Sequence, residues 1–254
     1  MKNVLKRFGN LTQARSAKVP LVIIALVAVI GFSFAACGGD SGGGGDDPSP
    51  YLGDTVTISG EQVYMWNESE KLIKFEDNLT IKDTGGGKGA IANGKLTFTI
   101  GTPPVGVLKN IKDIFNWGLE DEDEYYFDGY YNNIKYEPSD AQCFLLRLNI
   151  SGSSDYSYVD RGDVSGSDKK GWEEIVDYVY VDKDVTITGK GTTGSHGNGD
   201  DESDWTTKDF NLPLKKGWNA MYWKSSWEGT TETETMSLRN PKNSKWFLVR
   251  NDND

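Results

Sequence analysis

Two cysteines and one histidine in 254 residues leave little room for metal or redox chemistry. There is no paired-cysteine or multi-histidine zinc spacing, and Cys37 and Cys143 are the only thiols. The single histidine, His196, lies in Gly194-Ser195-His196-Gly197-Asn198-Gly199, where glycines give a catalytic base none of the packing a triad requires. A nucleophile elbow and a phosphate loop are also missing. Basic residues are scarce beyond the N-terminus. Residues 37–254 hold 22 Lys and Arg against 38 Asp and Glu, a net charge of −16. Nucleic-acid binding, which needs cations to displace phosphate counterions, is excluded as a partner class. Helical periodicity is sparse, and only one long apolar run occurs.

That run is Leu21–Phe34. Five cations and no acid precede it, as in a segment retained on the cytoplasmic side. At ~1.5 Å per residue it reaches ~20 Å, short of a ~30 Å hydrocarbon core. Small residues follow in Phe34-Ala35-Ala36-Cys37, then Gly38–Pro50 (GGDSGGGGDDPSP). The Ala-Ala-Cys junction resembles the lipobox of bacterial lipoproteins. Phe34 stands where leucine is usual, as in the looser spirochaete-type boxes. The resemblance implies cleavage between Ala36 and Cys37, acyl chains on Cys37, and a membrane as partner through that lipid. An uncleaved signal anchor and a plain secretory signal are the alternatives. Two or more acyl chains give stable anchoring. Gly38–Pro50 then serves as a flexible tether with ends ~20 Å apart on average.

From Tyr51 onward, short β-branched and aromatic runs alternate with Gly, Asn and Asp, the mark of strands and turns. Asn93-Gly94 is the clearest hairpin signal, joining Ala90–Ala92 to Lys95–Ile100. Further strands are expected at Val56–Ser59, Val63–Trp66, Leu72–Phe75, Leu79–Lys82, Tyr125–Tyr131, Cys143–Ile150, Trp172–Val181, Val185–Thr188, Trp205–Leu214, Asn219–Trp227, Thr233–Arg239 and Trp246–Arg250. Val107–Phe115 has helical spacing at Leu108, Ile111, Ile114 and Phe115. Tyr156–Gly171 and Gly189–Asp204 read as long loops. The expected fold is all-β, an antiparallel sandwich or barrel-like domain over 51–254 with one short helix, after a signal helix (1–36) and a tether (37–50). Val56-Thr57-Ile58-Ser59-Gly60 is echoed by Val185-Thr186-Ile187-Thr188-Gly189, each followed by an alternating strand, Leu96–Ile100 or Phe210–Leu214. This is either chance or a duplicated unit forming two sub-domains. Residues 184–189 with Leu212-Pro213-Leu214-Lys215-Lys216-Gly217-Trp218-Asn219 also resemble a pattern in uncharacterised spirochaete-type lipoproteins, which implies no activity.

Candidate sites are few. Asn198, Asp200, Asp201, Glu202 and Asp204 form an oxygen-rich loop suited to Ca²⁺, though without EF-hand spacing; a solvated acidic loop is the plainer reading. Arg161-Gly162-Asp163 would serve adhesion only at an exposed loop tip. Trp218, Trp223 and Trp227 offer a stacking platform for a glycan or protein ligand, with core packing as the competing role. Glu173 and Glu174 point to opposite strand faces and cannot act as a pair. Cys143, in an apolar strand, reads as a buried structural thiol. No catalytic residue is assigned. The expectation is a non-enzymatic binding or scaffolding protein of the cell envelope, on the outer membrane or the periplasmic face. A glycan hydrolase with a carboxylate pair, or an adhesin, is the alternative.

Overall fold

Every segment expected to be a strand between Val56 and Ile100 is one. The computed structural model describes residues 49–66, 72–115, 131–167, 170–196 and 203–250. The first strands are β1 (Tyr51–Gly53), β2 (Val56–Gly60), β3 (Val63–Trp66), β4 (Leu72–Lys74), β5 (Leu79–Lys82), β6 (Lys88–Ala92) and β7 (Lys95–Ile100). After β8 (Lys109–Asn110) and a single turn, α1 (Ile111–Ile114), come β9 (Tyr131–Glu137), β10 (Gln142–Leu145), β11 (Leu148–Ser151), β12 (Tyr156–Ser167) and β13 (Lys170–Val181). The chain continues with β14 (Val185–Gly191), β15 (Thr193–His196), β16 (Ser203–Thr207), β17 (Phe210–Leu214), β18 (Gly217–Glu228), β19 (Thr231–Leu238) and β20 (Lys245–Arg250). Among the described residues the fold is a predominantly antiparallel, sandwich-like all-β structure, parallel only at β16–β19 and β20–β3, and these strands close no barrel.

Its spine is the β13–β18 ribbon, paired over its whole length from Lys170↔Glu228 to Val181↔Gly217. Successive side chains leave opposite faces. On one face Val176, Tyr178, Tyr180, Trp218, Ala220 and Tyr222 enter a large core with β2, β3, β5, β6, β7, β11 and β20. On the other, Val179, Val181 and Met221 enter a second core, capped by the three-stranded sheet β17-β14-β9 and by Ile111 and Phe115. The ribbon is therefore the middle of three layers. Tyr178–Val181 is buried at every position, which alternation on a one-sided sheet would not produce.

Asn93 and Gly94 take φ of 49° and 75°, the left-handed pair a two-residue hairpin needs, and set Ala92 opposite Lys95. The echoed segments occupy equivalent places. Val56 pairs with Ile100 and Gly60 with Leu96; Val185 pairs with Leu214 and Gly189 with Phe210. A ring lies over each glycine. A Cβ on Gly60 would come within 2.4 Å of Trp246, and one on Gly189 within 2.3 Å of Phe210. One of these antiparallel strand pairs, β2–β7 or β14–β17, belongs to each core.

Five expectations are corrected. Val107–Phe115 is not one helix: a 3₁₀ turn at Val105–Val107, β8 and the one-turn α1 divide it. Leu108 packs on the first core and Ile111 and Phe115 in the second, so no single stripe exists. Tyr156–Gly171 is not a loop but β12 and the start of β13, paired as a hairpin. Gly189–Asp204 is stranded at both ends, in β14, β15 and β16. Cys143–Ile150 and Trp205–Leu214 each divide into two strands, the latter contributing to different sheets. Tyr125–Tyr130 and the acidic run Glu120–Glu124 lie outside the described residues.

Candidate ligand-binding face

Beyond Met221 the second face of the ribbon changes character. Continuing outward from the core, β18 presents Trp223, Ser225 and Trp227, and β13 presents Asp177, Ile175 and Glu173. Register sets β12 and β19 beside them. Gly162 pairs with Ile175, Ile175 with Trp223, and Trp223 with Met236; Val164, Glu173, Ser225 and Glu234 form the next row. Trp223 and Trp227 are half-buried, whereas Ser225 and Glu234 are buried. The Ser225 hydroxyl donates to Glu232 Oε1 at 2.5 Å, and the Trp227 indole N–H donates to the Ser167 carbonyl at 2.7 Å. Trp227 lies across Gly171, whose absent Cβ would meet the ring at 2.5 Å. Only glycine lets the ring lie so flat on the strand.

At the inner end of this face β12 and β13 part company. They pair from Ser167↔Lys170 to Gly162↔Ile175. Further along, β12 turns to β11 (Val159↔Leu148) and β13 to β10 (Val179↔Leu145). Leu146-Arg147 links β10 to β11 and so sits in the fork, held by the Leu146 N–H on the Tyr178 carbonyl at 2.9 Å. Asp160 and Asp177 flank the fork, one on each diverging strand and both half-buried. Burial pushes Asp160 up to about 7, reinforced by the Asp177 charge, opposed by Arg147 and raised further by Glu173. Burial pushes Asp177 up to about 6 against the pull of Arg147. The Arg147 guanidinium is exposed and lies 5.3 Å from the Tyr158 ring centroid. Two carboxyl groups of unequal acidity thus share one cation on the sheet face that further along carries Trp223 and Trp227. Such a face can stack on a ring, accept hydrogen bonds from hydroxyls and hold a proton near neutrality.

The opposite face is tied up internally. Glu174 accepts from the Tyr222 hydroxyl at 2.6 Å and from Ser244 Oγ at 3.2 Å. Burial, then this bond to Glu174, raises the Tyr222 pKa. Glu173 and Glu174 do face opposite ways.

Trp218 is a correction to the platform. It is 1% exposed, on the other face from Trp223 and Trp227, with its indole N–H on the Gly101 carbonyl at 3.1 Å. It closes the first core, between Phe144 and Tyr180, and is unavailable to a ligand. Arg161-Gly162-Asp163 is corrected too, because it lies mid-strand in β12, paired to both β13 and β20. The Arg161 guanidinium donates to the Tyr178 hydroxyl, Asn240 Oδ1 and the Pro241 carbonyl, and Asp163 pairs with Lys245 at 2.6 Å. An exposed loop tip, which adhesion required, is absent there. Cys143 is fully buried, and burial followed by the charges of Asp113 and Asp182 pushes its thiol up to about 12.

Asp204 is exposed in β16 opposite Ser195, while Asn198, Asp200, Asp201 and Glu202 lie outside the described residues, as do the His196 side chain, Ala36 and Cys37. Among the described residues no group of three His, Cys, Asp or Glu is arranged to hold a metal, and no helix is long and apolar enough to cross a membrane. Sequence reasoning missed Asp160, Asp177 and Arg147. A lone acid inside Ile175–Val181 was the available signal for Asp177. No protein-family model, curated protein or solved structure matches the chain.

Proposed function

We propose that this is a lipid-anchored protein of the cell envelope whose β domain is a non-catalytic binding module for a glycan. One observation carries the glycan reading: Trp223 and Trp227 share a sheet face with the carboxyl groups of Asp160, Glu173 and Asp177. Indole rings stack on the apolar face of a sugar, and carboxyl oxygens accept from its hydroxyls. The anchor rests on Phe34-Ala35-Ala36-Cys37 and the tether that follows. Glycan-array binding with the mature protein tests the ligand class. Trp223→Ala and Trp227→Ala should each weaken a positive signal at least tenfold; unchanged binding by both variants refutes the assignment. Cys37→Ser should move the protein to the soluble fraction, and persistent membrane association would count against lipidation.

A second reading is favoured by the unequal acidities of Asp160 and Asp177. A carboxyl group still protonated near pH 7 suits a general acid, so the same face could cleave the glycan it holds. Release of new reducing ends, abolished by Asp160→Asn, would establish the hydrolase. Binding without release leaves the module non-catalytic.

A further inference from the structure

We propose that the end of the domain where the tether enters is a bilayer-docking surface, with Val105 at its tip; this rests on the anchor reading given above. The described chain begins at Ser49, and Tyr51 pairs at once with Asn219 at the start of β18. The loop after β7 closes the same end. The Gly101 carbonyl accepts the Trp218 indole N–H, and Lys109 pairs with Cys143, in register with Val181 and Gly217. Between these two fixed points the chain projects a knuckle. Pro103-Pro104 leads into the 3₁₀ turn, which is held by the Val107 N–H on the Pro104 carbonyl at 3.0 Å and the Leu108 N–H on the Val105 carbonyl at 3.2 Å. Leu108 returns to the first core.

Val105 is 85% exposed, the extreme among the large apolar side chains described, and Tyr51, at 41%, joins it at this end. Charge points the same way. Lys183 and Lys215 at this end are ion-paired with Asp140 and Asp184, so each of those two pairs cancels its own charge. Residues 51–254 as a whole carry 22 cations against 35 acids, a net −13. The apolar tip at Val105 thus lies at the same end of an acidic domain as Ser49 and Tyr51, where the described chain begins. A short flexible linker supplies an effective concentration of about a millimolar, so a millimolar affinity for headgroups and upper acyl chain leaves roughly half the molecules docked. Burying one valine side chain is worth about tenfold in that partition. The tether therefore sets reach, and Val105 sets orientation.

The test uses the full lipidated protein reconstituted in phosphatidylcholine vesicles containing a nitroxide-labelled lipid. A fluorophore is placed at Val105→Cys or, as control, at Thr230→Cys in the turn at the opposite end of β18. Cys143 is buried and does not compete for label. Quenching of at least twofold at position 105 with none at position 230 is the expected result. With a label at Lys216→Cys, adding Val105→Asp should cut quenching to the position-230 level. Protein that floats with the vesicles while labels at positions 105 and 216 both stay unquenched overturns docking and leaves the anchor standing. Protein that fails to float refutes the anchor, and docking falls with it. Quenching at position 216 unaffected by Val105→Asp also overturns the inference.

Discussion

Raising the pH from 5 to 8 should weaken this fold, because Asp160 and Asp177 hold protons in the native state that the unfolded chain releases. Their native pKa values, about 7 and about 6, stand above the ordinary 3.8. Between those limits the folded protein binds more protons, so the slope of stability against pH is negative. The stabilisation is complete below about pH 4 and lost by about pH 7. Integrated from pH 5 to the native pKa values at 1.36 kcal/mol per pH unit, the two groups would account for about 4 kcal/mol. Both are half-buried and part of the Asp160 effect is repulsion from Asp177, so about 2 kcal/mol is expected. Asp140, Asp184 and Asp209 shift downward, with Lys183, a backbone N–H of Lys216 and Lys190 as the respective leading causes. Their stabilisation has the opposite sign and is lost only below about pH 4, outside this window. Asp83 is raised by burial, a shift of the same sign. Urea unfolding at fixed pH values, followed by tryptophan fluorescence, gives the curve. Asp160→Asn should gain about 1–2 kcal/mol at pH 8, change little at pH 5 and flatten the profile. A wild-type profile that is flat or rises from pH 5 to 8, or an Asp160→Asn profile that keeps the full slope, would refute the account of the fork.

Trp218→Ala should cost about 3–5 kcal/mol in urea unfolding, since it empties a core site and strands the Gly101 carbonyl; a loss below about 1 kcal/mol would show that the ring is not holding the layers together. Arg161→Met keeps an apolar stem but strips the donors from Tyr178, Asn240 and Pro241, and about 2–3 kcal/mol should be lost. An adhesion arginine on a loop tip would instead change stability within about 0.5 kcal/mol. The Cys143 thiol should resist alkylation at pH 8 until denaturant is added, and rapid native labelling would contradict its burial.

Local signals were legible where side-chain alternation and turn chemistry agree. Lys95–Ile100 shows both, with Leu96, Phe98 and Ile100 on one face and Asn93-Gly94 before it, and its ends are as expected. Tyr156–Ser167 offered Tyr156, Tyr158, Val159 and Val164 without regular alternation among Ser, Gly, Asp and Arg161, and reads as a loop. Its strand is made by neighbours, β20 on one edge and β11 and β13 on the other. Helical spacing over Val107–Phe115 was misleading for a related reason. Leu108 and Ile111 serve different cores, so apolar spacing that resembles one face reflects two. At the site, Trp223 and Trp227 were legible as a pair, because alternation needs no partner strand. Trp218 could be separated from them only by parity, as an even position among odd ones. Asp160 and Asp177 lie just past the last β12–β13 pair, where the two strands diverge around Leu146-Arg147, and nothing local specifies that divergence.

The three-layer packing also decides where binding can occur. Both faces of the ribbon are occupied at the Val181–Gly217 end, one by each core, and the strand pairs β2–β7 and β14–β17 are among the elements that occupy them. Toward Lys170–Glu228 neither pair follows it, and the side chains on the second face become polar or partly exposed. Twelve residues at ~3.3 Å separate the ends of β18 by ~36 Å. The apolar knuckle at Val105 and the Trp–carboxylate face are thus carried toward opposite ends of one stiff element. A ribbon buried on both sides at one end is rigid enough to fix that separation, so docking at one end would present the other to a ligand outside the membrane. A chain with a single core would have left one face of the ribbon open along its length, including the Val181–Gly217 end.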